Sequence, residues 1–109
     1  MADLKFKDMR IEGDVKENVK RVLDSVGPGC WWFMPPANGY GRSGIPDFIG
    51  SAYGHLFGVE TKFGKGELTA LQTMEIDKIV KSGGRVWVVR ETNFDSWHLE
   101  FIAWAALCS

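Results

Sequence analysis

Asp47, Glu60 and Lys62 are the residues whose types and spacing in this chain can do chemistry. Side chains alternate faces along a strand, so in the segment His55 to Lys62 the Glu60 carboxylate and the Lys62 ammonium share one side, while Val59 and Thr61 take the other. Asp47 stands at the start of the preceding strand, and a hairpin of this length brings it beside Glu60 across the sheet. Two neighbouring carboxylates repel unless a cation lies between them, and all-oxygen ligands select a hard divalent ion, Mg²⁺ or Mn²⁺, over zinc. Such an ion acidifies water and neutralises charge building on a phosphodiester, while an adjacent lysine orients or deprotonates the water. The set is suited to phosphodiester hydrolysis.

The elements that must position these residues are legible from periodicity. Val15, Val19, Val22, Leu23 and Val26 recur at three- and four-residue intervals, which predicts an amphipathic helix over 11–26 ended by Gly27-Pro28-Gly29, with Lys16, Lys20, Arg21 and Asp24 on its opposite face. Cys30 to Met34 reads as a short buried strand, closed by Pro35-Pro36. After a glycine-rich loop over 38–44, Pro46 prevents a helix from continuing, and a hairpin follows with its turn at Ser51 to Gly54. Thr69-Ala70-Leu71-Gln72 has capping-box spacing and opens a second helix, which Gly83-Gly84 ends. The continuous apolar run Val86 to Val89 predicts a central strand covered on both faces. The order helix, short strand, hairpin, helix, strand, apolar tail implies an α/β layered domain with a mixed sheet.

Bulk properties bound the answer further. A chain of 109 residues has room for one domain and one core, so catalysis and recognition share a single scaffold. A net charge of −1 excludes coating of nucleic acid by bulk charge, and any basic surface must be local. The start of the chain has no signal-like apolar region, and no run reaches membrane-spanning length. Cys30 and Cys108 lack zinc-site spacing and are expected to be reduced thiols in or near the core.

The motif Ile45-Pro46-Asp47-Phe48 followed by Gly58-Val59-Glu60-Thr61-Lys62 resembles the PD-(D/E)xK nuclease pattern. With Gly64 to Gln72 and Gly84 to Arg90, the stretch from Glu12 to Arg90 resembles the virus-type replication-repair nuclease (VRR-NUC) family. The resemblance implies a restriction-endonuclease-like αβββαβ core with a mixed central sheet flanked by helices, and a single nuclease domain over 1–109. It also implies Mg²⁺ or Mn²⁺ dependence and action on branched DNA, as in a Holliday junction resolvase. Asp47 and Glu60 would then be metal ligands, Lys62 the catalytic lysine, and Gln72 a supporting residue on the following helix. The backbone carbonyl of Thr61 would reach the metal. The family's glutamate on the first helix has two candidates here, Glu12 and Glu17; helical geometry favours Glu12, which falls in the stripe of Val15, Val19, Val22 and Val26. Small relatives resemble phage-encoded homodimeric resolvases, which implies a homodimer in a bacterial or phage-infected cytoplasm. The apolar tail with Trp97, Phe101, Ile102 and Trp104 is the expected interface.

Other signals have blander readings. A Glu-x-Lys on a strand is ordinarily a solvated pair, an Asp after proline a turn residue, and Gln72 an ordinary capping residue. Only their order and joint spacing make a site. Gly39-Tyr40-Gly41-Arg42-Ser43-Gly44 spells a dinucleotide fingerprint, but the extended Ile45-Pro46-Asp47 leaves no helix to hold a phosphate, so no nucleotide cofactor is expected. Arg42 in that loop and Lys65 after the catalytic strand are the candidate DNA-backbone contacts. Trp31 and Trp87 are expected in the core, while Trp32, which alternation sends to the other side, is left open between packing and stacking on unpaired bases. His55 and His98 are isolated and carry no role. A nuclease of restriction-like or single-strand specificity, or a noncatalytic DNA-binding module, are the rival functions, and metal-dependent cleavage separates them.

Overall fold

In the computed structural model, which describes residues 4–36 and 41–109, the apolar stripe of the first segment forms α1, Glu12–Ser25. Val15, Val19, Val22 and Leu23 are fully buried along one face of this helix, each worth about 1.5–3 kcal/mol of transfer free energy. Gly27, with φ of 91°, adopts the left-handed conformation that glycine tolerates after a helix. Asn18, also fully buried, exchanges two hydrogen bonds with the backbone of Lys7, at 2.8 and 2.9 Å, and so ties the N-terminal segment to the helix.

Three antiparallel strands follow: β1 Cys30–Phe33, β2 Phe48–Ala52 and β3 His55–Thr61. The hairpin turn is Tyr53-Gly54, both at positive φ (50° and 86°), as a type I′ connection requires. The helix α2, Ala70–Lys81, then crosses to β4, Arg85–Val89, which pairs parallel to β3. The last element is α3, Phe94–Cys108, built from the apolar tail. The result is an α/β fold with a mixed four-stranded sheet in the order β1-β2-β3-β4 and three helices. Among the described residues no helix is long and apolar enough to cross a membrane.

The main core lies between α1, α3 and one face of the sheet, where Phe48, Phe57, Val59, Trp87 and Val89 meet Phe94, Trp97 and Phe101. Phe57 packs edge-on to Phe101, with ring centroids 5.2 Å apart, and Trp87 packs in the same manner on Trp104 at 5.2 Å. The helix α2 packs on the other side of β3 and β4, where Gly84 closely approaches Ile79.

Three expectations are corrected here. β4 is an edge strand in the sheet order and not a central one; its continuous apolar run reflects the helices against its two faces, α2 and α3, which periodicity cannot distinguish from a central position. β1 is likewise an edge strand with alternating burial, and Trp31, expected in the core, is 63% exposed beside Phe33, because α2 does not extend over that end of the sheet. Trp32 packs inward on Phe48 and donates to Asp24, while Trp87 is buried as expected. In the tail, Trp97 and Phe101 are buried in the chain's own core and Trp104 packs against it. Of the four residues expected to form a dimer interface, Ile102 alone is exposed.

Candidate active site

Hairpin register assembles the site. One step beyond the Phe48 to Val59 pair, Asp47 falls opposite Glu60, as the sequence spacing requires. Asp47 Oδ2 accepts two hydrogen bonds from Thr61, one from the backbone N–H at 2.9 Å and one from the hydroxyl at 2.6 Å. This fixes the rotamer of Asp47 and commits one of its oxygens, leaving Oδ1 to face the rest of the site.

Glu60 lies on the strand next to Thr61 and is only 2% exposed, and its Oε2 is buried without a hydrogen-bond partner. Burial, then the hydrogen bond and negative charge of Asp47, push the Glu60 carboxyl up to about 9; Glu12 adds to the rise and Lys62 opposes it. Burial also acts to raise Asp47, but hydrogen bonds from Glu60 and Thr61, with the charge of Lys16, outweigh it and hold Asp47 below its ordinary value. Two carboxyl groups in contact can share a hydrogen bond only if one of them carries a proton, and the opposite directions of these shifts favour Glu60 as its holder.

Lys16 Nζ lies 3.3 Å from Glu12 Oε2 and 3.9 Å from Asp47 Oδ1. The expectation that Lys16 faces away with Lys20 and Arg21 is therefore corrected. A step of four residues turns a helix by only about 40° beyond a full circle, so the angular argument that directs Glu12 to the site carries Lys16 with it. The spacing of Glu12 and Lys16 was the signal that could have found it. The two glutamate candidates differ in their partners: Glu12 contacts Lys16, which reaches Asp47, whereas Glu17 pairs with Lys20 at 3.1 Å.

Lys62 follows directly on β3, half-buried, and its N–H donates to the Val89 carbonyl at 3.0 Å, extending the parallel ladder past Thr61. Lys65 is exposed on the next loop, where Gly64 N–H bonds the Glu91 carboxylate at 3.1 Å. A cleft of about 250 Å³ opens beside Asp47, between Pro35, Pro36 and the segment 42–46. Compared with family models, curated proteins and solved structures, the chain matches none.

The two remaining candidates are held by other contacts. Arg42 Nε donates to Glu75 Oε1 on α2 at 3.0 Å, and its Nη2 lies 3.0 Å from Oε2, a forked ion pair of the kind that suits a carboxylate. Gly44, at φ of 85°, passes so close to the Leu71 carbonyl that an added Cβ would lie 2.5 Å from its oxygen. Together they dock the loop onto the start of α2. The glycine-rich loop expected over 38–44 falls partly outside the described residues. Gln72 accepts from Thr69 N–H at 2.9 Å and Thr69 Oγ1 accepts from Gln72 N–H at 3.1 Å, a complete capping box, so the Gln72 side chain is turned to its own helix end.

Cys30 and Cys108 are both free thiols, half-buried, and burial pushes the Cys30 thiol up to about 11, which keeps it an inert packing residue.

Among the described residues no group of three or more His, Cys, Asp or Glu side chains is arranged to hold a metal ion. Glu12 is drawn to Lys16, and the acidic groups that meet directly are Asp47 and Glu60. The donor chemistry of that pair nonetheless fits a hard divalent cation. Glu60 Oε2 is a buried acceptor facing no donor, and such an oxygen calls for a proton or a cation.

Proposed function

We infer that this protein is a metal-dependent endonuclease of the PD-(D/E)xK type that hydrolyses DNA phosphodiester bonds. The observation that carries the reading is the juxtaposition of Asp47 with a buried Glu60 whose Oε2 has no hydrogen-bond partner, with Lys62 two residues further along the chain. Buried carboxyls in mutual contact are destabilising for a fold and are characteristic of sites that bind cations or move protons.

In this reading Asp47 and Glu60 would hold Mg²⁺ or Mn²⁺, with the Thr61 carbonyl and Glu12 as further ligands. The ion, when bound, stabilises charge on the phosphodiester and acidifies water. Thr61 keeps Asp47 from rotating away. Lys62 orients the attacking water and, as the neutral amine, would accept its proton. Lys65, on an exposed loop, follows the DNA backbone, and Arg42 both docks its own loop and offers the free edge of its guanidinium.

The first six elements run αβββαβ, with a parallel β3/β4 pair, an order compatible with a restriction-endonuclease-like core followed by α3, and the motif resemblance to VRR-NUC proteins makes branched DNA the substrate of choice. A homodimer would place two sites for paired incisions. The test is incubation of the purified protein with four-way junction, flap, single-stranded and linear duplex DNA, in Mg²⁺, Mn²⁺ or EDTA, alongside Asp47→Ala and Lys62→Ala. Paired metal-dependent nicks near the branch point, absent in both variants, are the expected result. Cleavage of another substrate keeps the chemistry and changes the target. No cleavage by folded protein that still binds DNA would favour the noncatalytic module.

A further inference from the structure

Lys16 is the cationic side chain that bridges two acidic groups of the site, and the chemistry assigned above to Lys62 does not use it. We propose that Lys16 is an internal counter-cation that occupies the place of the divalent ion at Asp47 and competes with it, an inference that rests on the metal-dependent reading.

Thr61 already engages Asp47 Oδ2 through two hydrogen bonds, so an incoming cation has only Oδ1 to bind on that carboxylate. Lys16 Nζ stands 3.9 Å from that atom and 3.3 Å from Glu12 Oε2. Beyond Asp47 lies the orphan Oε2 of Glu60, a buried acceptor independent of the lysine. Lys16 therefore balances the exposed side of the acidic cluster, while the inner Glu60 Oε2 has no hydrogen-bond partner. Its side chain is 29% exposed, and a lysine stem is flexible enough to withdraw the ammonium toward water without unfolding the helix. An ion arriving at Oδ1 would meet the positive charge of Lys16 at a distance where like charges are strongly coupled in a partly buried site. Binding of the ion and contact of Lys16 with Asp47 are thus mutually exclusive.

Isothermal titration of the intact protein with MnCl₂ at constant ionic strength tests this. Lys16→Met keeps the length and apolar stem of the side chain and removes the charge. It is expected to bind Mn²⁺ about tenfold more tightly than the wild type or better. Lys16→Arg should bind as the wild type does, and Lys20→Met, which removes a charge from the same helix at the Glu17 pair, should leave affinity unchanged. Asp47→Asn should abolish the titration, assigning it to this site. Unchanged or weaker binding by Lys16→Met, with Asp47-dependent binding intact, would overturn the proposal alone. An absence of binding by both the wild type and Lys16→Met would overturn it together with the metal-dependent reading. Equal tightening by Lys20→Met would also overturn it, since net charge would then be the cause.

Discussion

Thr61 donates both its backbone N–H and its hydroxyl to one oxygen of Asp47, at 2.9 and 2.6 Å, across the end of the hairpin. Residues fourteen apart in the chain are thereby clamped, and the clamp decides which oxygen of Asp47 faces the site. Thr61→Val keeps the shape and loses the hydroxyl. Because Thr61 is buried and its partner is charged, the variant should lose about 1.5–3 kcal/mol in urea unfolding. Thr61→Ser should recover most of it. If cleavage depends on the Asp47 rotamer, the valine variant's kcat should fall while the serine variant's holds.

Glu60 predicts the pH dependence of the metal-free protein. Its folded pKa, about 9, lies above the ordinary 4.5, so the folded state binds the proton more tightly than the unfolded chain. The stability this contributes is fully present below pH 4.5 and is lost as pH rises toward 9. Asp47, held low, contributes in the opposite sense, with stability lost as pH falls through its depressed value. Thermal melts in EDTA between pH 5 and 9 should show Tm falling with pH, and Glu60→Gln should flatten that slope. A slope unchanged in the glutamine variant would refute the protonated Glu60.

Gln72 is engaged in a reciprocal cap with Thr69. Gln72→Ala should cost about 0.5–1 kcal/mol through loss of that cap. Gln72→Glu, which can rebuild the box, should restore stability as measured by chemical denaturation. A fall in cleavage shared equally by both variants would instead assign Gln72 a role in the site beyond its helix end.

Arg42 and Glu75 form a forked pair whose carboxylate is largely buried while the guanidinium is 64% exposed. Solvent screening limits its worth, and a double-mutant cycle with Arg42→Ala and Glu75→Ala should give a coupling of about 1 kcal/mol. For DNA binding the two single variants differ in expectation. If Arg42 contacts phosphate, Arg42→Ala weakens binding more than Glu75→Ala does and lowers its salt dependence. Equal weakening would reduce Arg42 to a residue that docks its loop.

The sequence by itself determined the features that local physics encodes. Helical periodicity delimited α1 nearly to the residue, the Thr69 and Gln72 spacing gave the start of α2, and strand alternation with a short turn was enough to put Asp47 opposite Glu60. Each depends on neighbours within a turn or a hairpin. What only the tertiary structure decided was coverage and charge environment. Whether Trp31 is exposed, whether β4 sits at an edge and whether the tail turns inward all depend on where helices distant in sequence pack. The same holds for chemistry: burial raises the Glu60 carboxyl, and hydrogen bonds with Glu60 and Thr61, with the charge of Lys16 reaching from α1, lower that of Asp47. Hydrophobic pattern records that a face is covered, but not by which element, and a residue's charge state follows from that cover.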